Sequence, residues 1–293
     1  MKKVLITGGS GFIGRNLVEC LGDRYDISAP SSAELNLLDE CFVRDFLRSG
    51  GFEVIVHAAT TRSNRSLSAP SDLLDRNCRM FFNLARNQAL FGKLLHFGSG
   101  AEYSRECLPA LVKETYFDTR VPRDAYGFSK YICTKHAERA DNIFVLRLFG
   151  VFGKYEAWEV RFISNACARV VKGLPIVIRQ NVAFDYLCIE ELAKLTTWFI
   201  ENEPRRKTYN VCRGRTFNLL ELAQMVAAAS GRNPEIIVRN EGMGPEYSGD
   251  NSRMLDEIGG YKFHEMRQCV RELYQWYDAH ANRIDAAQLK FDG

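Results

Sequence analysis

Three side chains in the middle of the chain have the types and the spacing of a carbonyl-reducing centre. Ser99 ends an apolar run that predicts a strand, and Tyr126 and Lys130 open a predicted helix four residues apart. Side chains four apart share one helix face, so the ammonium would lie beside the phenol and favour its ionised form. Such a pairing lets a tyrosine exchange a proton near neutral pH. We predict that Tyr126 is the general acid, that Lys130 tunes it and that Ser99 orients the carbonyl oxygen; the alternative is a solvated helix face.

A reduction of this kind needs a hydride donor, and the N-terminus has the pattern of a dinucleotide site. Residues 1–7 predict a strand, a glycine-rich turn follows at once, and residues 15–21 continue as a helix. Glycine lets a pyrophosphate approach the backbone, and a helix N-terminus supplies unpaired N–H groups. The spacing is Gly-x-x-Gly-x-x-Gly rather than Gly-x-Gly-x-x-Gly, and the alternative is a tight turn that binds nothing. The predicted cofactor contacts in this turn are Gly8, Ser10, Gly11, Phe12, Ile13 and Gly14.

The end of the second predicted strand, residues 25–29, bears on the choice of dinucleotide. A fold that prefers NAD usually has an acid there for the ribose hydroxyls. The sequence instead continues with Pro30, Ser31 and Ser32. Ser31 would hydrogen-bond a 2′-phosphate, and Arg15 is a possible charge partner for it. We therefore expect NADPH in preference to NADH; the alternative is that the two serines are only turn residues.

The order of the predicted elements indicates the fold class. Predicted strands at 1–7, 25–29, 52–58, 93–98 and 143–149 alternate with predicted helices at 15–21, 40–48, 72–89 and 124–140. This alternation predicts an α/β fold with a Rossmann-like, doubly wound parallel sheet. Ligands of such sheets bind beyond the carboxyl ends of the strands, and Gly8–Gly14, His57–Thr61 and Gly98–Ala101 all lie at such ends. Beyond Gly153 the alternation becomes irregular, which suits a smaller substrate lobe.

Composition excludes several other classes of protein. The chain has 293 residues, with 39 basic and 36 acidic side chains and a net charge of +3, a balance that predicts neither nucleic-acid nor membrane binding. No apolar stretch is long enough to span a bilayer, and the first strand leaves no room for a signal peptide. Nine cysteines without a C-x-x-C pair predict a reduced, cytoplasmic protein without a metal site.

Taken together, the motifs resemble those of an extended short-chain dehydrogenase/reductase, of the NAD-dependent epimerase/dehydratase family that acts on nucleotide-diphosphate sugars. The resemblance extends from residue 1 to about 280. The motifs that carry it are Thr7–Gly14, Asp39, His57–Ala59, Asn77, Ser99, Tyr126 with Lys130, Leu146–Gly153, Phe184–Leu192 and Tyr209–Val211.

The resemblance implies further contacts and a domain plan. It implies that Asp39 meets the adenine of the cofactor and that the loop after the third strand passes near it. The remaining cofactor contacts that it implies are Ala58, Ala59, Thr60 and Asn77. It also implies a cofactor domain at 1–152 with a returning segment at about 180–215. A discontinuous substrate lobe would occupy 153–179 and 216–283, followed by a tail at 284–293, and the chain would form a homodimer.

Departures from the family pattern narrow the expected reaction. The family's 4,6-dehydratases have Thr-Asp-Glu beginning at the position of Ser99, whereas this chain has Gly100 and Ala101 after that serine. Glycine cannot act as an acid or base, so neither elimination nor epimerisation at C3 and C5 is expected. What remains is reduction of a 4-keto group or 4-epimerisation with a retained NAD.

Two features favour reduction of a 4-keto-6-deoxy sugar nucleotide by NADPH. The second strand lacks a terminal acid, and the segment 33–39 resembles the NADPH-using reductases that make GDP-fucose and dTDP-rhamnose. A 4-epimerase with NAD and a non-catalytic NADP(H)-binding sensor remain as alternatives. Phe184 replaces an arginine that many family members have, so the expected substrate contacts are Ser99, Gly100, Arg161 and Arg179, with Arg213 as a further candidate. A solvent-facing role is the alternative for each arginine.

Overall fold

The structure, a computed structural model, describes residues 1–61 and 70–289. Its strands are β1 Lys3–Thr7, β2 Asp26–Ser28, β3 Val54–His57, β4 Lys93–Ser99, β5 Ile143–Leu148, β6 Gly150–Phe152, β7 Ile176–Asn181, β8 Ala183–Cys188, β9 Thr208–Val211, β10 Thr216–Asn218 and β11 Ile236–Met243. Its helices are α1 Phe12–Leu21, α2 Glu40–Gly50, α3 Leu73–Ala85, α4 Ala125–Ala137, α5 Phe162–Val171, α6 Ile189–Glu201, α7 Leu219–Ser230, α8 Ser252–Ile258 and α9 Met266–Ala279.

A parallel six-stranded sheet forms the centre of the molecule, in the order β2-β1-β3-β4-β5-β9. Successive strand residues face two different apolar cores, as in β1, where Val4 and Ile6 face one and Leu5 the other. The first core is covered by α1 and α6, and the second by α2, α3 and α4. Burial on both faces explains why these strands read as continuous apolar runs. The predicted Rossmann-like α/β fold is confirmed.

The strand order contains a topological switch point at β1. From β1 the chain goes outward to β2 and then returns to pair β3 on the other side of β1. The helices α1 and α2 therefore pack on opposite faces, and the direction of the chain across the sheet reverses between β1 and β3. Such a switch point is where open α/β sheets bind ligands.

A second, smaller lobe is built from the later elements. It contains a sheet in the order β10-β8-β6, a parallel pair of β11 with β7, and the helices α5, α7 and α9 around their own core. Between these elements the chain returns to the first domain, where α6 packs on α1 and β9 becomes the sixth strand of the central sheet.

Residues 284–289, which we predicted to begin a tail, pack against this second lobe. Ile284 and Leu289 are buried in its core, and Arg169 donates a hydrogen bond of 3.1 Å to the Leu289 carbonyl. Apolar side chains that reach a core are held there by burial, which a free tail would lack. The remaining tail residues lie outside the described part of the chain. Within the described part, no helix is long and apolar enough to cross a membrane.

Candidate active site

The glycine-rich turn joins β1 to α1 in a geometry that only glycine satisfies. Gly8 has a φ of +73°, and a Cβ there would lie 2.8 Å from the backbone N and Cα of Ala59. A Cβ at Gly14 would lie 2.2 Å from the carbonyl oxygen of Gly8. The turn, the start of α1 and the loop after β3 are therefore in direct backbone contact, which confers the close packing of a phosphate cradle.

The start of α1 is open to an anion. Gly11 is the N-cap and provides no side-chain cap, and the first turn contains no acidic residue. Its N–H groups thus lie at the positive end of the helix dipole with no carboxylate competing for them. These residues fit the pyrophosphate of a dinucleotide, which supports the predicted role of Gly8–Gly14.

We expect the variant Gly8→Ala to lose more stability and more cofactor affinity than Gly51→Ala. Both glycines are left-handed, with φ of +73° and +62°, and each alanine should cost about 1–2 kcal/mol of backbone strain. Only Gly8 also meets backbone atoms, since nothing lies within 4 Å of a Cβ at Gly51. Urea unfolding and a dinucleotide titration of both variants measure the difference. Equal losses would show that the contact with Ala59 is unimportant.

Ser99 lies at the end of β4, inside a tightly hydrogen-bonded turn. Its hydroxyl accepts the N–H of Ala101 at 3.2 Å, and its own N–H is accepted by Glu102 at 2.9 Å. This reciprocal pattern is a capping box, here on a short 3₁₀ turn, Gly100–Tyr103. The serine hydroxyl is therefore held in one place at the carboxyl edge of the sheet.

Helix α4 brings Tyr126 and Lys130 to the same edge. Asp124 caps the helix by accepting the N–H of Gly127 at 2.8 Å, and a Cβ at Gly127 would lie 2.7 Å from the carbonyl oxygen of Ala101. The first turn of α4 thus lies directly against the Ser99 turn. Lys130 is buried and donates to the carbonyl oxygen of Phe97 in β4 at 2.7 Å, while Tyr126 remains half-buried.

A buried carboxylate joins the three elements that carry these side chains. Glu102 accepts hydrogen bonds from Ser99 of β4, from Thr134 of α4 at 2.8 Å and from Arg147 of β5 at 2.7 Å. Glu102 and Arg147 are both fully buried, so their charges compensate each other inside the protein. The sequence analysis missed this pair.

The histidines behind the site are neutral packing residues. Burial, with a further contribution from the positive charge of Lys130, lowers the pKa of His57 to about 3. Its Nδ1 lies 2.8 Å from the hydroxyl of Thr7, and its ring stacks on His96 at a centroid distance of 5.2 Å. Burial also takes the pKa of His96 well below its ordinary value. Neither imidazole is therefore suited to act as a base near neutral pH.

The loop after β3 is fastened by Asn77 of α3. The Asn77 carboxamide accepts the N–H of Thr61 at 2.7 Å and donates to the carbonyl oxygen of the same residue at 3.3 Å. Thr60 lies beside it, and Ala59 packs on Gly8 as described above. Asn77 therefore shapes the loop beside the glycine turn. The sequence that follows offers Arg62 and Arg65 as candidate phosphate contacts, with a solvated loop as the alternative, but both lie outside the described residues.

The end of β2 differs from the expectation based on sequence. Glu34 accepts the N–H of Ser31 at 2.8 Å, and this hydrogen bond lowers the pKa of the Glu34 carboxyl. An ionised acid therefore does lie beside Ser31, so the premise that this strand end is free of acids was wrong. Arg15 is already engaged, with its guanidinium 3.6 Å from the Tyr155 ring centroid and 3.4 Å from Glu19.

The other predicted contacts, Asp39 and three arginines, differ in solvent exposure and in whether they have a partner within the protein. Asp39 is exposed and caps α2 by accepting the N–H of Phe42 at 2.9 Å. Arg161 precedes α5 and Arg179 lies on β7, and both are exposed. Arg213 is instead paired with the buried Glu191 at 3.3 Å, so its charge is used inside the second lobe.

Tyr247, which the sequence analysis did not consider, also lies at the carboxyl edge of the central sheet. Tyr247 follows β11, and its hydroxyl would lie 2.6 Å from a Cβ at Gly100. Burial raises the pKa of the Tyr247 phenol. No local pattern in the sequence links residues 100 and 247. The two residues lie together only because the second lobe folds over the end of β4.

Comparison with known proteins places this arrangement in a family. The profile of the NAD dependent epimerase/dehydratase family matches residues 4–212. GDP-6-deoxy-D-talose 4-dehydrogenase of Aggregatibacter actinomycetemcomitans is 27% identical over 304 residues, covering 93% of this chain and 97% of that protein.

Two solved structures have the same fold. One is the NADP-bound GDP-mannoheptose C4 reductase from Campylobacter jejuni, with 21% identity, a TM-score of 0.81 and coverage of 94% of this chain and 98% of that one. The other is UDP-glucose 4-epimerase from Thermotoga maritima with UDP-glucose, with 17% identity, a TM-score of 0.81 and coverage of 95% and 99%. Because the family profile spans most of the sequence, the chain belongs to the NAD-dependent epimerase/dehydratase family.

Proposed function

We propose that this protein reduces the 4-keto group of a nucleotide-diphosphate 4-keto-6-deoxy sugar with NADPH. The observation that carries the proposal is the composition of the Ser99 turn. Ser99, Tyr126 and Lys130 meet at one edge of the sheet, yet Gly100 and Ala101 offer no acid or base. A Cβ at Gly100 would lie 2.6 Å from both Phe149 and Tyr247, so this position has no space for a larger side chain.

Each residue of the site has a separate role in the proposed reduction. When bound, the nicotinamide cofactor supplies the hydride. The Ser99 hydroxyl binds the carbonyl oxygen and holds it beside α4, and Tyr126 delivers the proton to that oxygen. Lys130 is held by the Phe97 carbonyl, so its ammonium is fixed one helical turn from Tyr126, on the helix face that carries the proton donor.

The named relatives support reduction at C4. One is a GDP-6-deoxy-D-talose 4-dehydrogenase and another a GDP-mannoheptose C4 reductase whose structure contains NADP. The proposal is tested by incubating the purified protein and NADPH with 4-keto-6-deoxy sugars carried on GDP, dTDP, CDP and UDP. We expect NADPH to be consumed with at least one of them. No consumption with any of the four would overturn the proposal.

A 4-epimerase is the second candidate, and Glu34 is the observation that favours it. An acid at the end of the second strand suits the free ribose hydroxyls of NAD, and Glu34 is held there by Ser31. An epimerase would be purified with NAD bound. It would interconvert two nucleotide sugars without net consumption of cofactor, whereas the proposed reductase consumes NADPH in proportion to product.

The variant Glu34→Gln is expected to raise the ratio of kcat/KM for NADPH to that for NADH several-fold. The amide keeps an oxygen for the Ser31 N–H but removes the negative charge that would repel a 2′-phosphate. Steady-state rates with both cofactors measure the change. Glu40→Gln, which removes a charge from the exposed first turn of α2, is the control. An unaltered ratio in Glu34→Gln would show that this carboxylate does not face the adenosine ribose.

A further inference from the structure

The segment 247–250 of the second lobe lies against the turn at the end of β4. It pairs with β8 on one side and with Val112 on the other, where the N–H of Asp250 donates to the Val112 carbonyl at 2.9 Å. The hydroxyl of Tyr247, the first residue of this segment, would lie 2.6 Å from a Cβ at Gly100 in the turn. The position of the segment therefore sets how much room is left above that turn.

One buried carboxamide, that of Asn210 in β9, holds this segment and its neighbour together. The Asn210 nitrogen donates to the Val112 carbonyl at 2.8 Å and to the Asp250 carbonyl at 3.1 Å. Asn210 has no solvent exposure, so water cannot replace either hydrogen bond. The carboxamide therefore ties together the two backbone stretches that pair beside the turn.

The same carboxamide is bonded to Tyr103, the last residue of the Ser99 turn. The Tyr103 hydroxyl donates to Oδ1 of Asn210 at 2.6 Å and accepts an N–H of Arg147 at 3.2 Å. Because a guanidinium can only donate, the phenolic proton must go to the Asn210 oxygen, which directs the Asn210 nitrogen towards the two backbone carbonyls. Each of these hydrogen bonds thus has only one possible direction.

On its other side, Arg147 connects Tyr103 to Ser99. Arg147 donates to Glu102 at 2.7 Å, and Glu102 accepts the N–H of Ser99 at 2.9 Å. The side chains of Glu102, Arg147, Tyr103 and Asn210 are each no more than 1% exposed. We call these four residues the buried network. It runs without a break from the Ser99 backbone to the carbonyls that hold the segment 247–250, and buried paired groups of this kind favour a single arrangement.

We propose that the buried network sets the position of the segment 247–250 relative to Ser99 and thereby shapes the site for the sugar of the substrate. Tyr103 and Asn210 are then positioning residues, because both are buried and act through the segment that they hold. The inference rests on the proposed reduction for the identity of the substrate. The connection between the two segments does not depend on it.

The variant Tyr103→Phe breaks the network at its middle. The ring is retained, Glu102 still holds the Ser99 N–H, and only the bonds to Arg147 and Asn210 are lost. We therefore expect the KM for the sugar nucleotide to rise about tenfold, the worth of roughly one hydrogen bond, while kcat and the Kd of the dinucleotide stay close to those of the wild type. An unchanged KM, or a loss confined to kcat, would overturn the proposal.

Amide hydrogen exchange of the same variant tests the network without any substrate. We expect faster exchange in peptides that cover 110–114 and 247–251, and wild-type rates in β1 and β3, because local opening raises exchange only where contacts are lost. A uniform rise throughout the protein would indicate general destabilisation, and wild-type rates at both segments would indicate no connection. Either result would contradict the proposal.

Two further variants complete the experiment. Tyr25→Phe is the matched control, because it removes a buried phenol bonded to Glu201 at 2.8 Å at the other edge of the sheet. It should leave the KM and the exchange of both segments unchanged. Asn210→Ala removes the partner of Tyr103 and should reproduce the effects of Tyr103→Phe, so the inference can be tested even if one variant does not fold. If the wild type reduces no 4-keto sugar, the proposed function fails, whereas the exchange rates still decide whether the network holds the segment.

Discussion

Replacing Tyr126 with phenylalanine is expected to lower kcat by about 100-fold or more while the affinities for cofactor and substrate stay close to those of the wild type. The loss follows from the removal of the general acid, which contributes about 10²–10⁴ to such reactions. The ring and the helix remain, because the cap at Asp124 and the anchoring of Lys130 do not involve the phenol. Steady-state rates combined with a binding titration separate the two effects.

Tyr131 offers a control on the same helix. Its hydroxyl is bonded to Asp118 at the surface, so Tyr131→Phe removes the same atom from α4 without touching the site. We expect the wild-type rate. A Tyr126→Phe variant that also retained this rate would contradict the proposed reduction and favour a protein that only binds the dinucleotide.

The variant Glu102→Gln is expected to lower the free energy of unfolding by about 3 kcal/mol. It leaves the Arg147 guanidinium buried without its counter-charge, a change that typically costs about 3–5 kcal/mol. Both side chains have no solvent exposure and lie 2.7 Å apart, so solvent screening does not reduce the effect. The change is measured by urea unfolding, with the slope against urea compared to confirm that the same transition is observed.

Removing both charges separates stability from catalysis. The double variant Glu102→Leu with Arg147→Met is expected to regain most of the lost stability, because apolar side chains can replace a buried ion pair. It should not regain activity, since the Ser99 N–H loses the carboxylate that holds its turn at 2.9 Å. A double variant as unstable as Glu102→Gln would show that the surrounding hydrogen bonds, rather than the charge balance, dominate.

The features of the site that depend on residues close together in the sequence could be predicted from the sequence. The glycine turn, the shared helix face of Tyr126 and Lys130, and the apolar strands that place Ser99 at a carboxyl edge follow from backbone sterics and helical periodicity. Two of the missed residues also had a local signal. Ser31 with Glu34, and Ser99 with Glu102, both match the Ser-x-x-Glu pattern of a capping box.

Recognising that pattern at residues 31–34 would have shown that an acid lies near the end of the second strand. It would thereby have removed one of the two arguments for NADPH. The premise of an acid-free strand end was therefore open to correction from sequence, although the position of the Glu34 carboxylate was not. The apolar residues Ile284 and Leu289 could also be seen in the sequence. Their burial could not be predicted, because they pack on a core formed by α5, α7 and α9.

The sequence by itself thus predicted the Rossmann-like fold, the glycine turn and the elements that carry Ser99, Tyr126 and Lys130, because each strand, turn or helix is specified by residues a few positions apart. Only the tertiary structure decided that Arg147 neutralises Glu102 and that Tyr247 lies over the turn that begins at Ser99. These partners are 45 and 148 positions apart, and their meeting depends on how β5 and the second lobe pack against the end of β4. Packing of this kind is a property of the whole chain, which no local pattern encodes.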